Sequence, residues 1–358
     1  MNQNPVQAST PTMKAVGYRQ SLPISHPESL LDLELPAPQP QDLADHDLLV
    51  AVSAVSVNPV DTKVRQGRPP AAGQVEVPGW DAVGTVLAVG PAVTLMQPGD
   101  RVWYAGSIVR PGSNAQRHRV DERIASRAPA SLGDAQAAAL PLTGITAWEL
   151  LFDRLGVPLQ EDRQGGAGQR LLVLGGAGGV GSILIQLARQ FTALTVVATA
   201  SRPETQAWCL AQGAHVVIDH RQPLAPQLQQ AGLPQVELVA SLTHTASHFP
   251  QLVEVLAPQG RLGLIDDFAP GAIDVLALKA KSLSLHWEMM FTRSRFGTPD
   301  MVAQHQLLAR LAAAVDAGLV RSTEGEHFGA INAANLRRAH AWVESGRAVG
   351  KAVLQGWA

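Results

Sequence analysis

The stretch Arg170-Leu-Leu-Val-Leu-Gly-Gly-Ala-Gly-Gly-Val-Gly-Ser-Ile-Leu-Ile-Gln-Leu-Ala-Arg189 leaves this chain few folds to choose from. Leu171 to Leu174 is too short an apolar run for a helix and stops at glycines, so it reads as a strand buried on both faces. Beyond the glycines Ile183, Leu184, Leu187 and Ala188 recur at helical spacing. The segment is therefore strand, tight turn, helix. Within the turn, Gly176-x-Gly178-x-x-Gly181 has the spacing in which one glycine makes the turn, the next lets backbone approach a pyrophosphate, and the third lets helix and strand pack closely. Amides at a helix N-terminus would face the phosphates. Gly176, Ala177, Gly178, Gly179 and Val180 are the candidate cradle. Glycine-rich turns are common in a chain with 32 glycines, so the residues beyond the turn decide its meaning.

Thr195 to Thr199 reads as a second strand, ending where a dinucleotide-binding unit meets the adenosine ribose. Selectivity for NAD usually puts Asp or Glu there. This chain has Ala200, Ser201, Arg202 and Pro203. With a guanidinium and no carboxylate, NADPH is favoured over NADH, although Glu204 follows closely. His215 to His220 is a third strand. His220 would emerge beside the same ribose or be an ordinary solvated loop histidine. Further strands at Val236 to Ala240, Gly260 to Ile265 and Ser282 to His286, alternating with helical stretches, predict a parallel α/β sheet of order 3-2-1-4-5-6, a Rossmann domain. Leu242, Thr243, Leu264 and Ile265 fall at the strand ends on the cofactor side. His244-x-x-x-His248 puts two imidazoles on one helical face, but with no third ligand the pair reads as cofactor-side lining and not as a metal site.

The composition narrows the partners. Of 358 residues 46% are hydrophobic and 16% charged, and formal net charge is -2, enough apolar material for two domains. With no basic run there is no electrostatic footprint for nucleic acid or an anionic membrane. The single cysteine, Cys209, excludes an internal disulfide or a multi-cysteine zinc site. Residues 1–12 read as a polar tail without the features of a signal peptide, and no apolar run approaches a membrane span. A cytoplasmic protein is expected.

Before the glycine turn the chain reads as mostly β: Met13 to Tyr18, Asp47 to Val57, Gly84 to Gly90 and Arg101 to Tyr104 alternate apolar with small or polar residues between turn signals. That pattern predicts a twisted small barrel. After strand six come amphipathic helices at Met301 to Gly318 and Asn335 to Gly346, then a strand at Gly350 to Leu354. Because the parallel sheet is already complete, these should rejoin the β domain. The expected division is 13–140 with 301–358 for the β-rich domain and 141–300 for the cofactor domain.

Taken in order, Ser56-Val-Asn-Pro-Val-Asp-Thr-Lys-Val-Arg-Gln-Gly67, Pro78-Gly-Trp-Asp-Ala-Val-Gly84, Pro98-Gly-Asp-Arg-Val102, Ala139-Leu-Pro-Leu-Thr-Gly-Ile-Thr-Ala147 and Gly350-Lys-Ala-Val-Leu354 resemble successive signatures of the medium-chain dehydrogenase/reductase superfamily. They are most similar to its quinone oxidoreductase branch, and to proteins labelled zinc-type alcohol dehydrogenase-like. The resemblance runs from about Met13 to Leu354. It implies a GroES-like β-rich catalytic domain beside the Rossmann domain, and places Thr143 and Lys351 on the cofactor side. Zinc members carry histidine then glutamate where this chain has Trp80 then Asp81, and the ligand cysteines are absent, so no metal is expected.

Without a Lewis acid, reduction of a conjugated carbonyl needs a hydrogen-bond donor at the developing oxyanion. The resemblance puts Asn58 near the nicotinamide, and Lys63 stands where similar reductases usually have tyrosine. Both are candidate catalytic residues, Lys63 with a solvent-facing alternative. Trp80, Tyr104, Asp266, Phe268 and Met290 are candidates for the substrate side. Trp80 would fill the space of the lost ligand and offer a flat face to a quinone or enone. In similar proteins the strand around Ser284 to Glu288 pairs across a two-fold axis, which implies a homodimer. The expected function is zinc-independent, NADPH-dependent reduction of quinones or α,β-unsaturated carbonyls. The alternatives are another acceptor, such as an enoyl thioester or aldehyde, or a non-catalytic NADPH-binding redox sensor.

Overall fold

A computed structural model describes residues 11–358; residues 1–10 of the polar tail lie outside the described residues. The chain starts with an antiparallel hairpin, β1 (Thr12–Gly17) and β2 (Leu31–Pro36), which forms a sheet of its own. A bridge between Ala15 and Ala115 ties it to the next sheet.

That next sheet is built around β3 (Asp47–Val57), with α1 (Pro59–Gly67) directly after it, then β4 (Ala82–Val89), β5 (Arg101–Tyr104), β6 (Arg117–Asp121) and β7 (Ala125–Arg127). β4 covers one edge of β3, and β6 covers the first half of the other. Register shifts between Leu49 and Val50 and between Val52 and Ala54 add local twist. Leu48, Val50, Val86, Val102 and Leu336 lie in the core this sheet encloses.

α2 (Asp134–Ala138) and α3 (Pro141–Trp148) lead toward the second large sheet. α3 widens directly into a π-helix over Glu149–Arg154, where the Leu155 amide reaches back to the Leu150 carbonyl at 2.8 Å. Then come β8 (Arg170–Leu174), α4 (Gly179–Phe191), β9 (Thr195–Thr199), α5 (Pro203–Gln212), β10 (Val216–Ile218), α6 (Leu224–Gln230), β11 (Val236–Ser241), α7 (Thr245–Val255), β12 (Leu256–Leu264) and β13 (Ser284–Trp287). The six strands are parallel in the order β10-β9-β8-β11-β12-β13. This is the 3-2-1-4-5-6 order read from the sequence. Leu171, Leu172, Val173 and Leu174 are fully buried, each worth roughly 1.5–3 kcal/mol of transfer free energy. β13 starts at Ser284 and not at Ser282, because Ser282 takes φ 52 and closes the preceding turn.

The rest of the chain comprises α8 (Thr292–Phe296), α9 (Ala303–Asp316), β14 (Glu324–His327), α10 (Ala333–Glu344) and β15 (Lys351–Gln355). β15 pairs antiparallel with the second half of β3, so the last strand lies in the first large sheet. The path of that sheet ends at β14 and β7, so the expected barrel is an open sheet. A core containing Trp80, Trp103, Ile145, Leu150 and Leu171 runs continuously between the two large sheets. Among the described residues, no helix is long and apolar enough to cross a membrane.

Candidate active site

The two sheets meet at the glycine turn. Gly175 takes φ 86, and α4 starts from Gly178 as its cap. A Cβ at Gly181 would lie 2.4 Å from the Gly175 carbonyl oxygen, so this glycine is required for packing, whereas one at Gly178 would meet the same oxygen at an ordinary 3.6 Å. Gly178 therefore leaves room on the ligand side, and the first amides of α4, at Gly179 and Val180, have no carbonyl of their own helix to reach. These residues fit a dinucleotide pyrophosphate. Opposite them, the Gly350 amide donates to the Ala177 carbonyl at 2.9 Å, and Gly350 bridges Gly178. Gly350 has φ 64, and a Cβ there would lie 2.4 Å from the Thr323 carbonyl oxygen. The next residue, Lys351, lays its stem where a Gly179 side chain would go, with the Thr143 methyl beside it. Sequence positions 143, 179 and 351 thus converge.

Lys351 is at the centre of a buried polar network. Its Nζ donates to Asp81 Oδ2 at 2.9 Å and to Asn58 Oδ1. Asp81 is saturated: Oδ2 also accepts from Ser56 Oγ at 2.9 Å and Asn58 Nδ2 at 2.8 Å, and Oδ1 accepts from the Leu142 amide at 2.7 Å. Asn58 Nδ2 also points to the Trp80 carbonyl, 3.4 Å away. Beneath it, Asp61 Oδ2 accepts from the Asn58 backbone N–H at 2.6 Å while Oδ1 has no donor among the described residues, and burial pushes the Asp61 carboxyl up to about 7.

This arrangement corrects two expectations. With both amide protons engaged, Asn58 holds Asp81 and Lys351 in place instead of offering a free donor. Lys63 lies on the outer side of α1, half-exposed, and pairs with the exposed Asp267 at 2.8 Å. The lysine beside Asn58 is Lys351, because the antiparallel pairing of β15 with the end of β3 brings position 351 back to the start of α1.

Trp80 is buried, donates from Nε1 to the Ser107 carbonyl at 3.1 Å, and meets Phe291 edge-on at 6.2 Å. Met290 is buried in the same core. Three other candidates for the substrate side are used elsewhere. Tyr104 belongs to the core inside the first large sheet, where it stacks on His118 and bonds its Nδ1 at 3.1 Å; alternation along β5 sends Trp103 to the intersheet core and Tyr104 away from it. Asp266 caps α7, accepting from the Thr245 amide at 3.0 Å and from the Thr245 hydroxyl. Phe268 lies on Trp287 at the sheet edge, 5.5 Å between rings.

At the adenosine end Arg202 is partly exposed. Its Nη2 donates to the Arg347 carbonyl at 3.0 Å and its Nε lies 2.8 Å from Glu204. Ser201 is beside it, and its carbonyl accepts from Arg221 Nη2 at 2.6 Å. Arg221 is a second cation at this end that sequence reasoning does not single out; its one signal there is that it directly follows His220. His220 is half-buried with Nδ1 unpartnered, its ring perpendicular to His248, and burial pushes its pKa down. His244 caps α7 with φ 51 and bonds Thr243 Oγ1 at 2.7 Å, while His248 Nδ1 faces the His244 carbonyl. The two imidazoles are spent separately and make no metal pair. Thr243 presses against Gly175, the Leu242 amide donates to the Leu174 carbonyl at 3.2 Å, and Leu264 and Ile265 stand at the end of β12. Cys209 is buried against Gly176, and burial raises its thiol to about 12.

A catalytic zinc needs three protein ligands and an open position. Here indole stands at Trp80, and both oxygens of Asp81 already have donors. Among the described residues, no group of three or more His, Cys, Asp or Glu is placed to hold a metal ion. The residues present do not fit zinc.

Known proteins share this architecture. Residues 44–138 match the model of the alcohol dehydrogenase GroES-like domain, and residues 212–354 match that of zinc-binding dehydrogenases. The chain is 38% identical to a zinc-type alcohol dehydrogenase-like protein of Staphylococcus aureus over 342 residues, covering 96% of this chain and 99% of that one. A crystal structure of a protein of the zinc-dependent alcohol dehydrogenase type from Rhizobium etli superposes with a TM-score of 0.91 at 55% identity, over 97% of this chain and 99% of that one. Over 187 residues, half of this chain and 46% of the other, it is 36% identical to the chloroplastic NADPH-dependent alkenal/one oxidoreductase of Arabidopsis thaliana.

Proposed function

Since the chain belongs to the zinc-type alcohol dehydrogenase-like family of the medium-chain dehydrogenase/reductase superfamily, and is an oxidoreductase with a pyridine-nucleotide fold by that membership, we propose that it reduces α,β-unsaturated carbonyls, quinones among them, with NADPH and without zinc. The observation that carries this reading is the Asn58–Asp81–Lys351 network, a buried hydrogen-bonded cation beside the glycine turn at positions flanking the lost metal site.

When bound, the nicotinamide supplies hydride to an electron-poor carbon. The chain's own residues do the rest. Lysine has three donors; Asp81 and Asn58 take two, and one remains for the oxygen on which charge develops. A donor held in place before the reaction in a water-poor site stabilises that charge without reorganising. A quinone is a doubly conjugated carbonyl and asks for the same donor. Trp80 and Phe291 supply an apolar wall and keep water out. Arg202, Ser201 and Arg221 support the choice of NADPH, since two guanidiniums flank the strand end that meets the ribose. β13 ends the parallel sheet, its outer edge unpaired among the described residues and its Trp287 half-exposed, which supports a homodimer formed across that edge.

The test is consumption of NADPH, and of NADH in parallel, by chelator-treated protein with 2-cyclohexenone, a benzoquinone, an alkenal and a saturated aldehyde. Turnover of the conjugated acceptors with NADPH preferred is expected. Turnover of the saturated aldehyde alone, or loss of activity on chelation that zinc restores, would overturn the reading.

A further inference from the structure

Away from the glycine turn, two carboxyl groups are buried together. Glu149 opens the π-helical segment and Glu288 directly follows β13; their side chains are 1% and 0% exposed. One oxygen of each is engaged: Glu149 Oε1 accepts from Gln304 Nε2 at 3.1 Å and is in ion-pair contact, without a hydrogen bond, with Arg293 Nη1 at 2.5 Å, and Glu288 Oε2 accepts from Arg154 Nε at 2.8 Å. The other two, Glu149 Oε2 and Glu288 Oε1, are buried without a donor, and Arg154 Nη2 is no nearer to Glu149 Oε2 than 4.0 Å. Both carboxyls lie against the one Arg154 guanidinium and so are neighbours, and burial raises the affinity of each for a proton. Two ionised carboxylates cannot face each other in a dry site, but an acid and a carboxylate can, with the proton between them.

The segment after Glu288 runs to the acceptor side. Gln304 Nε2, which holds Glu149, also donates to the Met290 carbonyl at 2.5 Å, and Phe291 stands edge-on to Trp80. We propose that Glu149 and Glu288 share a single proton, and that the protonated pair positions Met290 and Phe291 against Trp80, setting the acceptor-side wall. This role rests on the reductase reading; the shared proton does not.

The surroundings fit one proton and not none. Arg154 from the π-helical segment and Arg293 from α8 contact the pair, and Arg293 is in turn bound to Asp153 at 3.1 Å and to Asp300, in the loop before α9, at 3.0 Å. His286 on β13 and Arg261 on β12 are nearby, the latter donating to the Leu155 carbonyl. Four carboxyls thus face the two guanidiniums of Arg154 and Arg293. Burial, then the neighbouring Glu149 charge, pushes the Glu288 carboxyl well above the usual carboxylate range. Loss of the shared proton in alkaline solution leaves two like charges facing each other and releases the segment.

Infrared difference spectroscopy on the full chain, with E288Q and E149Q, tests the proton. At pH 8 the wild type should show an un-ionised carboxylic acid C=O band that both variants lack; E149Q stands in if E288Q does not fold. In parallel, KM for 2-cyclohexenone should rise severalfold in wild type toward alkaline pH with kcat little changed. It should stay flat in E288Q, whose amide is a permanent donor. No acid band in wild type, or the same band in both variants, would overturn the shared proton. An identical KM profile in E288Q and wild type would overturn the positioning role. The expected band in a protein that reduces none of the conjugated acceptors would uphold the proton while faulting the reductase reading.

Discussion

Lys351 Nζ lies 2.9 Å from Asp81 Oδ2, both side chains almost completely buried, 270 residues apart in the chain. The ion pair ties the last strand to the residue just before β4. Its members belong to the network proposed to hold the acceptor oxygen, so structure and chemistry depend on the same contact.

Removing Lys351 leaves the Asp81 charge buried without a countercharge, with neutral donors alone. Lys351→Met should therefore cost about 3–5 kcal/mol in denaturant unfolding and abolish turnover. Asp81→Asn in the Lys351→Met background should recover part of the stability and none of the activity. Equal loss in the single and double variants would show that the pair is not coupled.

Arg202 offers its charge toward the ribose end while Glu204 competes for it. Arg202→Ala should raise KM for NADPH about tenfold or more, with little change for NADH, as expected for one charge-assisted hydrogen bond. Glu204→Gln should lower KM for NADPH. Steady-state kinetics with both nucleotides reads both effects.

The two glycines of the turn should separate stability from binding. Gly181→Ala puts a methyl 2.4 Å from a carbonyl oxygen and should destabilise the apoprotein, whereas Gly178→Ala meets an ordinary contact and should fold normally but lose nucleotide affinity, because its methyl occupies the ligand side. Thermal unfolding with and without NADPH distinguishes the two patterns.

The six parallel strands and their order are legible in periodicity and glycine spacing, because each strand is an apolar run between turn signals. The site is legible only in part. Asn58, Trp80, Thr143 and Lys351 come together in one constellation, but chain order does not show that β15 lies against the end of β3. Sequence reasoning therefore assigns the oxyanion donor to Asn58 and Lys63, and gives the distant Lys351 to the cofactor side alone. Tyr104 and Asp266 are misplaced for a similar reason: strand alternation and a helix cap decide where those side chains go, and neither depends on which strand end the residue follows. The Glu149–Glu288 pair joins a helix to a strand far along the chain, and no local pattern marks it.

Acid should destabilise the fold through His340. It is fully buried beside Arg65 with neither ring nitrogen partnered, and burial, with the Arg65 charge adding to it, pushes its pKa down to about 3. The folded state therefore binds this proton less readily than the unfolded chain. The stability is fully present above the unfolded value near 6.5 and is lost as pH falls from there toward 3, at a slope of about 1.4 kcal/mol per pH unit. His340→Leu should flatten that part of the stability curve. An unchanged acid limb in the variant would assign the loss to other groups, such as His118.

Hydride delivery to a conjugated carbon, at a site organised by Lys351, can be read from the position of label in the product. The measurement is reduction of 2-cyclohexenone with NADPH deuterated at C4 of the nicotinamide, followed by magnetic resonance of the product. Deuterium is expected at the carbon β to the carbonyl, in a saturated ketone. Deuterium on the carbonyl carbon of an allylic alcohol would contradict the proposed chemistry.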